Sequence, residues 1–194
     1  MIPVLISSPN LTSQDRSDEN RRFSPSDRRQ YQLDEYPVPL MTLPTPQLKF
    51  FADLFVLVDK PHEVGLTHHG FRRLIPILGG QLQGDGWTAR VLPGGADFQI
   101  IVNERLAELD ARYTIETDGG DLIFVQNRAV RTAAPDVMAK LVRGEPVPSE
   151  SVYFRCSPSF ETASASLGWI SERFFIGTGA RHPDKVVMRF FEVA

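Results

Sequence analysis

From Lys49 onward the chain is a succession of short runs in which apolar residues alternate with or outnumber polar ones, each closed by Gly, Pro, Asp or Asn. "LKFFADLFVLV" (48–58) is rich in aromatic and branched residues, although its alternation is blurred. "GWTARVL", "ADFQIIVN", "LDARYTIET", "DLIFVQN", "ESVYFRCS", "SERFFIGTG" and "KVVMRFFEV" follow it. Runs of this length and composition between turn signals predict β-strands. "TDGGD" (117–121) lies between two of them and predicts a hairpin turn. One segment has a different period: in "APDVMAKLVRGE" (134–145), Val137, Met138, Leu141 and Val142 recur at helical spacing between Pro135 and Gly144, which predicts one short helix. Seven to ten antiparallel strands with one helix imply an all-β domain, a sandwich or a closed barrel, and periodicity does not choose between them. The absence of βαβ alternation argues against Rossmann and TIM architectures.

The first 46 residues read differently. They hold 7 of the 15 prolines, and "TSQDRSDENRRFSPSDRRQ" alternates charges with almost no apolar content. Such a stretch cannot bury enough surface to offset its ordering entropy. Two readings stand: a disordered tail, or an extended arm that Tyr31, Leu33, Tyr36, Leu40 and Met41 anchor on a neighbouring copy or on its own barrel. The expected organisation is an arm over 1–46 and a β-domain over 47–194.

Composition narrows the function. With 194 residues, 42% hydrophobic and 23% charged, one folded soluble domain is expected, and a chain of this size holds a core without staples. The 21 basic and 24 acidic residues give a formal charge of −3, which argues against a nucleic-acid partner. A single cysteine, Cys156, precludes an internal disulfide. No run of eighteen apolar residues suggests a membrane span, and "MIPVLISSPN" lacks the basic start of a signal peptide, so a cytoplasmic location is the expectation.

Four separated blocks then carry a resemblance: "GGQLQGDGWTARVLPGGADF" (79–98), "LDARYTIETDGGDLIFVQN" (109–127), "YFRCSPSFET" (153–162) and "GWISERFFIGTGAR" (168–181). In this order they resemble the uncharacterised family known as domain of unknown function 3237, over roughly residues 49–194. The resemblance implies a single antiparallel β-barrel with an interior pocket, often assembled from two or more copies. It implies little about activity and supplies no catalytic set. The overall expectation is an antiparallel β-barrel with one short helix and a Pro-rich N-terminal arm.

Strand parity offers candidate chemistry. Asp97, Gln99, Ile101 and Asn103 share one side of their run; Asp110, Arg112, Thr114 and Glu116 share one side of theirs; Tyr153 and Arg155 oppose Val152, Phe154 and Cys156. If these mixed faces point inward, Asp97, Gln99, Arg112, Tyr153 and Arg155 line a polar pocket. An arginine would then polarise a ligand oxygen while a carboxylate or tyrosine moves a proton. If they point outward, the same residues are a solvated surface or an interface. The stretch "LPGGADF" (92–98) concentrates the question, because Pro93, Gly94 and Gly95 turn the chain just before Asp97.

Other residues contribute less. His68 and His69 in "THHGFRR" (67–73) would point to opposite faces of a strand, and His69 at a pocket mouth is a candidate acid–base group. His182 and Asp184 are too remote in sequence to make a metal motif with them, so no metal is expected. Trp169, Phe160 and Phe174 are candidate pocket walls or plain core. Cys156 falls on the apolar side of its run and reads as a small core residue. "GGQLQGDG" lacks the lysine and following helix of a phosphate loop, and Ser157 and Ser159 lack a nucleophile-elbow context.

The expectation is therefore a barrel that takes a small organic metabolite, anionic or carbonyl-bearing, and catalyses a cofactor-free isomerisation, cyclisation or related rearrangement. Asp97, Arg112, Arg155, Tyr153 and His69 are the catalytic candidates; Gln99, His68, Trp169 and Phe160 are the substrate-binding ones. No cofactor, metal, nucleic acid or membrane is called for, and a homo-oligomer is expected. The alternatives are a non-catalytic ligand-binding barrel and a structural protein assembled through its N-terminal arm.

Overall fold

The computed structural model describes residues 43–194; apart from its last four residues, the expected arm over 1–46 lies outside them. Ten strands carry the fold: β1 (Leu48–Val58), β2 (His62–Thr67), β3 (Gly70–Gly84), β4 (Thr88–Val91), β5 (Ala96–Ile101), β6 (Leu106–Thr117), β7 (Leu122–Ala133), β8 (Val152–Thr162), β9 (Phe175–Arg181) and β10 (Lys185–Val193). One helix, α1 (Pro135–Val142), joins β7 towards β8. All pairings are antiparallel, and β1 pairs both β10 and β3, which closes the sheet on itself. Closure removes the exposed edges that an open sheet would present.

The ten strands occupy eight places around the ring. β3 is long, and each of its two edges serves two partners in succession: β1 and β2 on one side, β4 and β5 on the other. β4 and β5 also share β6, so "LPGGADF" is a step inside one strand position, not a turn between two. The step stays fastened to both neighbours, through Leu92 N–H to Thr114 O at 2.8 Å and Ile77 N–H to Gly95 O at 2.9 Å. Gly95 permits it: a Cβ there would stand 2.5 Å from Arg112 O and 2.6 Å from the Tyr113 Cβ.

One element was not among the runs read as strands, and one differs from the sequence expectation. "GGQLQG" (79–84) is strand, the second half of β3, because Gly80 lets β3 press its backbone against Phe55 of β1. His68 and His69 stand in the turn joining β2 to β3, outside any strand; both are exposed and their rings lie 3.9 Å apart. The expected helix is present. Pro135 opens it, Asp136 lies in its first turn and Lys140 in its last, and Gly144 follows with a φ of +77°. It buries Met138 and Leu141 against Ala133, Val147 and Val152, each worth about 1.5–3 kcal/mol of burial.

Side chains fill the barrel unevenly. At one end Phe51, Trp87, Phe160, Trp169 and Phe175 meet ring to ring, with Phe51 and Phe175 centroids 4.6 Å apart and Phe160 edge-on to Phe175 at 5.0 Å. This aromatic plug and the aliphatic residues behind it, Leu54, Leu82, Ile115 and Val125, make the main core. Towards the other end the inward rows change character: polar side chains from β3, β5 and β7 enter the interior.

Candidate functional site

The interior rows that meet at this end are Ile75 and Ile77 of β3, Asp97 and Gln99 of β5, Leu109, Ala111 and Tyr113 of β6, and Asn127 and Arg131 of β7. Phe154 of β8, Arg181 of β9, Val186 and Met188 of β10 and Val56 and Val58 of β1 complete the wall. They enclose a cavity of about 30 Å³, enough for about two water molecules or an equally small head group. Small residues create the space: Asp97 and Asn127 both stand opposite Ala111 across the ladder, and Arg131 stands opposite Ala107.

Hydrogen bonds hold part of the lining in place. Arg73 and Gln99 are direct cross-strand neighbours, and Arg73 donates Nε–H to Gln99 Oε1 at 2.9 Å. Gln99 in turn donates Nε2–H to Asp97 Oδ2 at 2.5 Å. Arg73 Nη1 reaches Val142 O, at the end of α1, at 3.1 Å. Arg181 donates to Lys185 O and Pro183 O, both at 3.2 Å, which ties it to the β9–β10 turn. Asn127 donates to the Met188 sulfur at 3.1 Å.

Other polar atoms of the lining have no such partner. Asp97 Oδ1, Tyr113 Oη, Asn127 Oδ1 and Arg131 Nε and Nη2 are buried and have no hydrogen-bond partner among the described residues. Arg131 is only 1% exposed, and its guanidinium carbon lies over the Phe154 ring, 5.9 Å from the centroid. A buried polar group without a partner costs about 1–3 kcal/mol, and a charged one more. Four such side chains line one cavity and leave it a set of unbonded donors and acceptors.

Electrostatics sharpen the picture. Burial raises the Asp97 pKa, against the Gln99 hydrogen bond and the charges of Arg131, Arg73 and Arg181, which lower it. Burial, with Arg73 beside it, brings Arg131 down to about 10. Arg73 and Arg181 are likewise lowered, chiefly by burial. Burial drives the Tyr113 phenol upward, so it is a neutral hydrogen-bond donor throughout the physiological range. The site therefore offers a carboxylate with enhanced proton affinity, a phenol donor and an unpaired guanidinium.

The sequence candidates divide. Asp97 and Gln99 face the cavity and are buried. Arg112, Tyr153 and Arg155 face outward, which corrects the picture of one mixed face shared by three strands. Their strands bury the opposite parity, Leu109, Tyr113 and Ile115 in β6 and Phe154 and Cys156 in β8. Arg112 pairs with Asp110 at 2.8 Å on the surface, and Arg155 lies over the Tyr153 ring at 4.8 Å. His68 and His69 are at an exposed turn, and neither lines the cavity. Phe160 and Trp169 belong to the aromatic plug, and Phe174 is exposed. Cys156 is a buried free thiol with its pKa pushed up to about 11 by burial. Among the described residues no group of three His, Cys, Asp or Glu side chains comes together for a metal ion, and no helix is long and apolar enough to cross a membrane.

Four lining residues were missed, Tyr113, Asn127, Arg131 and Arg181, and so was Arg73, which bonds Gln99. The signal was available in β7, where the row Ile123, Val125, Asn127, Ala129, Arg131, Ala133 sets an amide and an arginine among residues that otherwise read as core.

Comparison with known proteins agrees with the fold. Residues 46–193 match the family model described as "Protein of unknown function (DUF3237)". A UPF0311 protein of Rhodopseudomonas palustris is 41% identical over 150 residues, covering 77% of this chain and 98% of its own. The crystal structure of a conserved protein of unknown function from the same species superposes with a TM-score of 0.74 at 39% identity, over 78% of this chain and 100% of that one. A β-barrel-like protein from Acinetobacter baumannii gives 0.70 at 31% identity, over 79% and 99%. An enzyme from Penicillium herquei gives 0.58 at 18% identity, over 79% and 98%, and shares the fold alone.

Proposed function

The chain belongs to the DUF3237 family, and on that footing we propose that its barrel binds a small carbonyl-bearing metabolite and moves a proton on it without a cofactor. The observation that carries this reading is Arg131: a guanidinium 1% exposed that, among the described residues, makes no hydrogen bond from Nε or Nη2 and shares its cavity with the similarly unbonded oxygens of Asp97, Tyr113 and Asn127. A carbonyl oxygen in the cavity gives Arg131 and Tyr113 an acceptor. Asp97 Oδ1 takes the proton from the adjacent carbon, and the electron pair of that C–H bond moves onto the oxygen as an enolate. The guanidinium and phenol stabilise that charge where water is excluded; one such donor is worth about 10²–10³ in rate. Where a C=C adjoins the deprotonated carbon, the enolate extends along it, and protonated Asp97 returns the proton at the far carbon, which is an isomerisation. If the enolate carbon instead attacks a carbonyl carbon in the same molecule, that C=O electron pair becomes an alkoxide, protonated Asp97 gives it the proton, and the outcome is a cyclisation.

Small ketones and keto acids incubated with the protein in D₂O test this, with exchange of α-protons followed by NMR. Exchange is expected with the wild type and not with Asp97→Asn or Arg131→Met. Binding without exchange would instead support a ligand-binding barrel, and exchange unaffected by either substitution would remove these residues from the mechanism.

A further inference from the structure

A second concavity, of about 340 Å³, adjoins the site at the mouth of the barrel. The β1–β2 connection, the end of α1 and the β9–β10 turn form it, and it shares Val58 and Arg181 with the interior cavity. Arg73, bonded to Gln99 inside, also lines it. The two spaces are therefore continuous in their lining, joined at a throat of Val58, Arg73 and Arg181.

Charge at this throat is unbalanced. Lys60, Arg73, Arg143 and Arg181 line the outer space against Asp59 and Asp184. Arg143 is already paired with Glu145 at 2.6 Å, and the Asp59 carboxylate accepts the Lys60 backbone N–H at 2.7 Å. Among the described residues, neither Arg73 nor Arg181 nor Arg131 has a carboxylate at ion-pair distance. All three guanidiniums act on Asp97, while Glu63 also acts on Arg73 and Asp184 on Arg181 from beyond ion-pair distance. Surplus buried cations are costly unless an anion joins them. Arg73 and Arg181 each use only two of their five N–H donors, on Gln99 and backbone oxygens that fix their direction in advance.

We infer that the ligand is a short oxo acid, its carbonyl in the Asp97 cavity and its carboxylate at the throat between Arg73 and Arg181. This rests on the carbonyl reading of the inner site and adds the anionic group to it. The guanidinium fork suits a planar carboxylate, which accepts paired N–H bonds. Because Arg181 lines both spaces, the two oxygen-bearing groups are separated by only a few bonds. A cation is repelled, and a neutral ketone leaves the throat arginines uncompensated.

The test uses the full chain and a series of oxo acids of three to six carbons, each beside its methyl ester, with binding read by calorimetry. The acids should bind at least about tenfold more tightly than their esters, and added salt should weaken only the acids. Arg181→Gln should erase the acid preference, and Arg181→Lys should keep part of it. Equal binding of acid and ester by the wild type overturns the inference without any variant, and so does failure of the whole series to bind. Equal binding that still requires Arg131 leaves the carbonyl reading standing and removes the carboxylate. An acid preference that depends on Arg181 but not on Arg131 or Asp97 keeps the throat site and removes the carbonyl reading.

Discussion

Gln99 donates a 2.5 Å hydrogen bond to Asp97 from two residues further along the same strand, so Asp97 Oδ2 is occupied and Oδ1 is the free oxygen. The orientation of the Gln99 amide is fixed, because its oxygen accepts from Arg73 at 2.9 Å. The bond also lowers the Asp97 proton affinity, against the burial that raises it. Gln99→Leu removes that restraint while keeping volume in the core. The Asp97 carboxyl should then titrate at higher pH than in the wild type, which ¹³C NMR of the side chain reads directly. An unchanged titration would mean that Gln99 has no hold on it.

Stability should carry the same signature. The pKa of Asp97 is raised in the fold, so its folded state holds a proton where the unfolded chain, near about 3.9, has lost it. The wild type therefore loses stability on account of Asp97 as pH rises from about 4 towards the folded value, and the loss is constant above that value. Asp53 and Asp110 act oppositely: their pKa values are lowered, and their contribution disappears as pH falls. They are present in both wild type and Asp97→Asn, so urea denaturation of the two across pH isolates Asp97. The difference should shift in favour of the Asn variant as pH rises from 4 towards neutrality, and a flat difference would contradict a raised pKa.

Arg131 should be more useful to a ligand than to the fold. It is buried with two unbonded nitrogens, and Asp97 keeps Arg73 and Arg181 as counter-charges without it. Arg131→Met is expected to leave stability unchanged or raise it by about 1–4 kcal/mol in urea melts, while abolishing ligand binding. A loss of several kcal/mol would show that the guanidinium supports the barrel itself.

The ladder positions that make the barrel were largely legible in the chain. Residues 48–58, the turn at 117–121 and the helix between Pro135 and Gly144 follow from aromatic and branched content, paired glycines and helical spacing respectively. The long strand β3 was not, since Pro76, Gly79 and Gly80 mimic turn signals and only their tertiary partners, Ala96 of β5 for Pro76 and Leu57 and Val56 of β1 for the glycines, keep them extended. For the site, parity grouped Asp97 with Gln99 correctly, but it cannot tell inside from outside when both rows of a strand hold mixed residues. In β6 the inner row is Leu109, Ala111, Tyr113, Ile115, and its phenol reads as ordinary core. That Tyr113, Asn127 and Arg131 meet Asp97 depends on closure of the ring, which no local pattern encodes.

The outward residues supply controls. Arg112→Ala breaks a surface pair with Asp110, and such exposed pairs contribute little. Neither it nor Tyr153→Ala should alter ligand affinity or move the denaturation midpoint beyond error. A change in affinity with either would mean that the outer face reports on the interior.

Gly80→Ala should be severe. The added methyl would collide with the Phe55 carbonyl oxygen, a backbone atom that cannot swing aside, and β3 and β1 are the pair that closes the ring. A destabilisation of about 1–3 kcal/mol or more is expected in thermal or urea melts, against little effect for Gly168→Ala, where nothing lies within 4 Å of the new methyl.

The aromatic plug has a kinetic consequence. With Phe51, Phe160, Trp169 and Phe175 packed at one end of the barrel, a ligand of the kind proposed would have one way in and the same way out, past Arg73 and Arg181. A molecule still seated between those arginines would then keep the next one from reaching Asp97.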